Sequence, residues 1–197
     1  APGSKWSSLI KNIYYSPDVD RTDYTDARTY YHDASGTMDL MHLGAYFDPG
    51  MEFDLPEDLN NYNREQLEAL FDRPFSGTGV RIIKSHIFAN HIDHIRKLFS
   101  ECPMILALRD NDACLGWWVR CGHFNITYPN YAGYYKDLKT MSKIIDWQNR
   151  DIRSAWDYYD GIIVRNNQEL AEVLGIDAPP EDYKQDYTQS DLEVKVI

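Results

Sequence analysis

The sequence predicts an α/β fold in which helices flank a mainly parallel central sheet, and three observations predict it. Short aliphatic runs, Val80-Arg81-Ile82-Ile83-Lys84, Pro103-Met104-Ile105-Leu106-Ala107-Leu108 and Gly161-Ile162-Ile163-Val164, alternate with stretches whose apolar residues recur at helical spacing. Strand, helix, strand and helix fit within about 40 residues after Val80, a rhythm that implies right-handed crossovers and parallel pairing. The chain has 197 residues, 43% of them hydrophobic and 26% charged, which suits one domain, residues 1–197, able to bury its own core.

The elements follow in order. Ala1-Pro2-Gly3-Ser4-Lys5-Trp6-Ser7-Ser8 reads as a glycine-containing loop entering a helix carried by Leu9, Ile10, Ile13 and Tyr14. Such a junction presents backbone N–H groups and the positive end of a helix dipole, to which Lys5, Ser7 and Ser8 add a cation and hydroxyls. It suits a phosphate; serines that simply cap a helix are the other reading. Residues 15–78 are rich in Asp, Tyr, Pro and Gly and read as irregular, acceptor-side structure, apart from a helix over Arg64 to Phe71. Within them His42-Leu43-Gly44-Ala45-Tyr46-Phe47-Asp48-Pro49-Gly50 is a lid or acceptor-pocket element, or ordinary surface packing.

A strand from Val80 to Lys84 leads to a helix opened by Asn90 as its cap, with Ile92, Ile95, Leu98 and Phe99 on its buried face. The next strand ends at Arg109-Asp110-Asn111-Asp112, before a helix from Ala113 to Arg120. Tyr131, Tyr135, Leu138, Met141 and Ile145 keep helical spacing, so residues 131–157 form one long helix or two short ones. Gly161 to Val164 is a third strand, and a helix from Gln168 to Leu174 stops at Gly175. The acidic tail, residues 178–197, ends in Val194-Lys195-Val196-Ile197, which adds an edge strand or stays loose.

The net charge of −11 argues against a general nucleic-acid partner, since a polyanion is repelled over most of such a surface. No apolar run reaches bilayer length, so no membrane association is expected, and a cytoplasmic location is the default. Cys102, Cys114 and Cys121 are odd in number and form no C-x-x-C pair, which reads as reduced, partly buried thiols.

The most informative chemistry lies at the end of the first strand. Lys84 and His86 are two apart, therefore on one side of an extended chain, at the strand end where open α/β sheets place their ligand crevice. His91 and His94 have the spacing to share a metal, yet no carboxylate or cysteine cluster completes a ligand set, and exposed helix positions explain them better. His32, His42 and His123 read as surface residues or acceptor-pocket lining.

At four places the chain resembles the sulfotransferase family, whose members have a three-layer P-loop-type fold. Pro2-Gly3-Ser4-Lys5-Trp6-Ser7-Ser8 is similar to the family's 5′-phosphosulfate loop. Arg81-Ile82-Ile83-Lys84-Ser85-His86 resembles its Arg-Ile/Leu-Ile-Lys-Thr-His strand end, and Ile105-Leu106-Ala107-Leu108-Arg109-Asp110-Asn111-Asp112 its Val-x-Arg-Asn/Asp-Pro-x-Asp segment. Gly161-Ile162-Ile163-Val164 through Leu170 to Leu174-Gly175-Ile176 resembles its late strand and helix. The matches are collinear. The resemblance implies transfer of a sulfuryl group from 3′-phosphoadenosine 5′-phosphosulfate, without a metal, to a hydroxyl or amine of a small-molecule or glycan-like acceptor. It implies His86 as general base and Lys84 as the cation on the transferring group. It also implies the loop Gly3, Ser4, Lys5, Trp6, Ser7 and Ser8 around the 5′-phosphate, and Arg109 on the 3′-phosphate.

The chain departs from the family pattern where the donor would bind. Gly3 and Lys5 stand in the places of the family's Lys and Gly, Trp6 replaces its first Thr, and Trp117 stands where a 3′-phosphate serine is expected. A nucleotide or nucleoside kinase, and a non-catalytic nucleotide-binding or interaction module of the same fold, are the alternatives.

Overall fold

The structure, a computed structural model, describes residues 1–23, 44–51, 53–120, 137–179 and 191–197. The predicted helix positions 131–136, the candidate acceptor residues His32, His42 and His123, the Ser7 and Ser8 side chains and Cys121 lie outside the described residues.

Six α-helices and three strands are described: α1 (Trp6–Tyr14), α2 (Arg64–Asp72), α3 (Ile92–Leu98), β1 (Ile105–Leu108), α4 (Asn111–Arg120), α5 (Leu138–Tyr158), β2 (Ile162–Val164), α6 (Asn167–Leu174) and β3 (Glu193–Val196), with a 3₁₀ turn at Ile87–Asn90. Local chemistry sets several ends. Asn63 and Gln66 form a reciprocal capping box on α2, Asp137 caps α5 through Thr140 N, and Asn166 caps α6 through Glu169 N. Gly175 closes α6 in the left-handed conformation, as the sequence predicts. Asn90 does not cap α3. It ends the 3₁₀ turn, and its Nδ2 donates to Asp151 Oδ2 on α5 at 2.8 Å.

The expected three-layer P-loop-type fold with a mainly parallel sheet is overturned. The sheet has three strands in the order β1-β3-β2, and both outer strands pair antiparallel with β3, in the registers Ile105↔Val196 and Ile162↔Val196. The reason lies in the tail. Rather than adding at an edge, Glu193–Val196 inserts between β1 and β2, so those two strands run in one direction without pairing. Lys195 anchors the insertion, its ammonium reaching the carbonyls of Trp156 and Tyr159 at 2.6 and 2.7 Å at the C-terminal end of α5. The Val80–Lys84 stretch enters no ladder among the described residues. Single parallel bridges, Val19↔Val80 and Tyr46↔Lys84, hold it.

One face of the sheet packs Val164, Val194 and Val196 against Leu9, Ile10 and Ile13 of α1 and Leu170 and Ala171 of α6. The other packs Leu106 and Leu108 against Ala89, Ile92 and, on α5, Ile152 and Ala155. A third apolar cluster, with Phe47, Leu55, Leu67, Phe71, Ile87 and Ile95, fixes the irregular 44–60 region against α2 and α3. Together they hold the residue 44–48 segment and the residue 84–87 segment against each other, beside the start of α1. No helix among the described residues is long and apolar enough to cross a membrane.

Candidate functional site

Lys84 and His86 leave the bridged stretch on the side that meets the first turn of α1. Both are buried, at 5% and 9% exposure. Burial of two ionisable groups demands partners. His86 is held at both ring nitrogens: the Trp6 indole N–H donates to Nε2 at 2.7 Å, and Tyr46 Oη lies 2.8 Å from Nδ1. An indole N–H only donates, so Nε2 is the acceptor nitrogen and the imidazole proton sits on Nδ1. Tyr46 O–H in turn donates to Asp48 Oδ2 at 2.5 Å, and that oxygen lies 3.3 Å from His86 Nδ1.

Asp48 organises the whole cluster. Its Oδ1 accepts from Ser85 Oγ at 2.6 Å and from the backbone N–H groups of His86 and Ile87 at 3.0 and 3.3 Å. A carboxylate from a distant segment thereby supplies the N-terminal donors of the 3₁₀ turn with an acceptor. Burial holds the His86 imidazole below its ordinary pKa, opposed by the bonding and charge of Asp48. The ring is therefore neutral near pH 7, with a basic lone pair at Nε2. Trp6 packs edge-on to His86 and tilted to Tyr46, with the Lys84 ammonium 5.6 Å from its ring centroid.

The loop before α1 forms the second half. Gly3 and Lys5 are left-handed, with φ of 75° and 64°. Gly3 also admits no side chain, since a Cβ there would lie 2.0 Å from the Cys114 carbonyl oxygen. The loop is thus pressed against the first turn of α4. Arg109, at the C-terminal end of β1, donates from Nη1 to the carbonyls of Gly3 at 3.1 Å and Ala113 at 3.2 Å, and Asn149 of α5 donates to the Arg109 carbonyl at 2.8 Å. Buried Ser4 Oγ and Arg109 Nε find no partner among the described residues. The Lys5 ammonium lies 4.7 Å from the Trp117 ring centroid.

The sequence-predicted residues thus meet in two adjoining groups. Trp6, Lys84 and His86 come together as a single cluster, while Gly3, Ser4, Lys5 and Arg109 form the loop side. Arg109 serves the carbonyls of Gly3 in the loop and Ala113 in α4, and Lys5 lies against an indole. His91 and His94 bond the carbonyls of Glu57 and Tyr62, and no metal-ligating group of three exists among the described residues. The Cys114 thiol is pushed up by burial, which makes it a poor nucleophile.

Sequence reasoning placed Tyr46 and Asp48 only within a lid or acceptor-pocket element over residues 42–50, without roles of their own, and missed Ser85 and Asn149. A signal for the first two was present, because Tyr46 and Asp48 are also two apart and so share one side of an extended segment. Neither a protein-family model, nor a curated protein, nor a solved structure matches this chain.

Proposed function

We propose that the site carries out sulfuryl transfer from 3′-phosphoadenosine 5′-phosphosulfate to a hydroxyl or amine acceptor, as the sequence resemblance implies. One observation carries this reading: the resembling segments around residues 2–8 and 81–86, 80 positions apart, meet through the Trp6–His86 hydrogen bond, and the segment around Arg109 reaches the same loop through Gly3.

In the proposed step the acceptor oxygen attacks sulfur, the bond between sulfur and the bridging phosphate oxygen breaks, and the acceptor proton passes to His86 Nε2. The acceptor hydroxyl takes the place of the Trp6 indole at that nitrogen. Asp48 and Tyr46 keep the proton on Nδ1 beforehand and stabilise the imidazolium afterwards. Lys84 offsets charge on the sulfuryl oxygens and leaving phosphate. The N-terminus of α1 and the Gly3–Lys5 backbone face the 5′-phosphate, with Ser4 Oγ as a further donor, and Arg109 meets the 3′-phosphate through Nε.

A binding module without turnover is the second reading, favoured by the Trp6 indole occupying the lone pair that catalysis needs. Calorimetric titration with 3′-phosphoadenosine 5′-phosphate and with ATP plus Mg²⁺ tests the donor. Binding of the first alone supports the proposal, binding of the second points to a kinase, and silence in both removes the donor assignment. Given turnover, His86→Ala is expected to abolish it while leaving donor binding nearly unchanged, and turnover near the wild-type rate overturns the general-base role.

A further inference from the structure

A single side chain covers both groups that the proposed reaction uses. The Trp6 indole N–H donates to His86 Nε2 at 2.7 Å, and the Lys84 ammonium lies 5.6 Å from the centroid of the same ring. A neutral imidazole has one acceptor nitrogen, here Nε2, because Nδ1 carries the proton. While the indole occupies that nitrogen, no hydroxyl can deliver a proton to it. Packing holds the indole as well. Its ring lies against Tyr46 and His86, with centroids 5.6 and 5.2 Å apart, and against the apolar cluster that contains Leu9, Ile10 and Ile13. Its backbone is set by the turn before it, since Trp6 opens α1 directly after Lys5, which is left-handed at φ 64°.

We propose that Trp6 is a specificity-determining guard that keeps water off the base, so that the phosphosulfate is not hydrolysed before an acceptor arrives. The inference rests on the sulfuryl-transfer reading. Hydrolysis would join a water oxygen to sulfur, break the bond between sulfur and the bridging phosphate oxygen, and pass one water proton to His86 Nε2. It would leave hydrogen sulfate and 3′-phosphoadenosine 5′-phosphate. Water offers Nε2 one hydrogen bond in exchange for the one that the indole already makes, and it returns none of the ring contacts. An acceptor brings contacts remote from its reacting oxygen, and that binding energy moves the ring. The guard therefore stays shut with the donor alone and opens for the acceptor, which separates transfer from hydrolysis.

The test is hydrolysis of 3′-phosphoadenosine 5′-phosphosulfate without any acceptor, followed by sulfate release, in the wild type, Trp6→Phe and Trp6→Phe combined with His86→Ala. Trp6→Phe keeps a ring beside Tyr46 and Lys84 and removes the N–H. It is expected to hydrolyse the donor roughly tenfold faster than the wild type, the scale of one lost hydrogen bond, and His86→Ala is expected to cancel that gain. Equal rates in the wild type and Trp6→Phe overturn the proposal, and so does a gain that survives His86→Ala. A second measurement needs no variant. In the wild type, scalar coupling between the two nitrogens of the indole–imidazole hydrogen bond is expected both without ligand and with 3′-phosphoadenosine 5′-phosphate bound, and its loss on binding overturns the guard. Calorimetric titration with the same bisphosphate separates the two ways to fail. Binding without the rate difference removes the guard alone, whereas no binding removes the sulfuryl-transfer reading and the guard with it.

Discussion

The two halves of the candidate site are built differently. Around His86, one buried carboxylate gathers a phenol, a hydroxyl and two backbone N–H groups, and the imidazole has a partner at each nitrogen. Around Gly3 to Lys5, shape is set by left-handed backbone and close contact with α4, while the buried Ser4 hydroxyl and Arg109 Nε keep donor capacity that no described residue uses. The first half is organised before any ligand arrives. The second leaves two buried donors, Ser4 Oγ and Arg109 Nε, without an acceptor among the described residues. In the proposed reaction the fixed partners of His86 serve proton transfer, and the unspent donors of the loop serve the phosphate.

Removing the organiser should have the largest effect. Asp48→Ala deprives Tyr46, Ser85 and the N–H groups of His86 and Ile87 of their common acceptor inside the protein. A loss of about 3–5 kcal/mol in unfolding free energy is expected, the range for breaking a buried charged network. Urea denaturation measures it. A loss below about 1 kcal/mol would mean that the carboxylate is replaceable by water and organises nothing.

The loop half should respond to shape instead. Gly3→Ala places a Cβ against the Cys114 carbonyl at a left-handed φ, so a cost of roughly 1–3 kcal/mol is expected. Gly116 in α4 is the control, because a Cβ there meets nothing within 4 Å. Gly116→Ala should stabilise by about 0.5–1 kcal/mol through helix propensity. Thermal midpoints of the two variants should therefore move in opposite directions. A shared direction would show that the Gly3 loop is not pressed against α4.

Much of this was legible in the residues. Helices α2, α4 and α6 and strands β1 and β2 follow from apolar spacing, with Gly175 as the end signal of α6. The Lys84/His86 pair was legible for the same reason, since both depend on the local period of the chain. Sheet direction was not. It depends on where Glu193–Val196 inserts, and an alternating six-residue tail carries no mark separating a central position from an edge. Asp48 was equally hidden, because its role comes from a contact 38 positions away with a turn that has no side-chain cap of its own. A carboxylate in a Pro-Gly segment looks like any turn residue.

The proton chemistry of His86 offers the finest test of the difference between the halves. Its folded-state pKa lies below the ordinary value near 6.5, with burial as the leading cause. In the unfolded chain the ring takes up a proton near pH 6.5, whereas in the folded protein it resists until lower pH. Between those two values the unfolded state binds more protons, so stability rises with pH. The contribution of this residue is complete above about pH 6.5 and is lost as pH falls below it, by at most about 1.4 kcal/mol per pH unit for one proton. His86→Gln removes that titration. Urea midpoints measured at pH 7.5 and 5.5 should therefore fall less in His86→Gln than in the wild type, whatever the absolute stability of the variant. Equal falls would mean that His86 titrates alike in both states. Burial would then fail to hold a neutral base at Nε2, and the proposed proton transfer would lose its starting point.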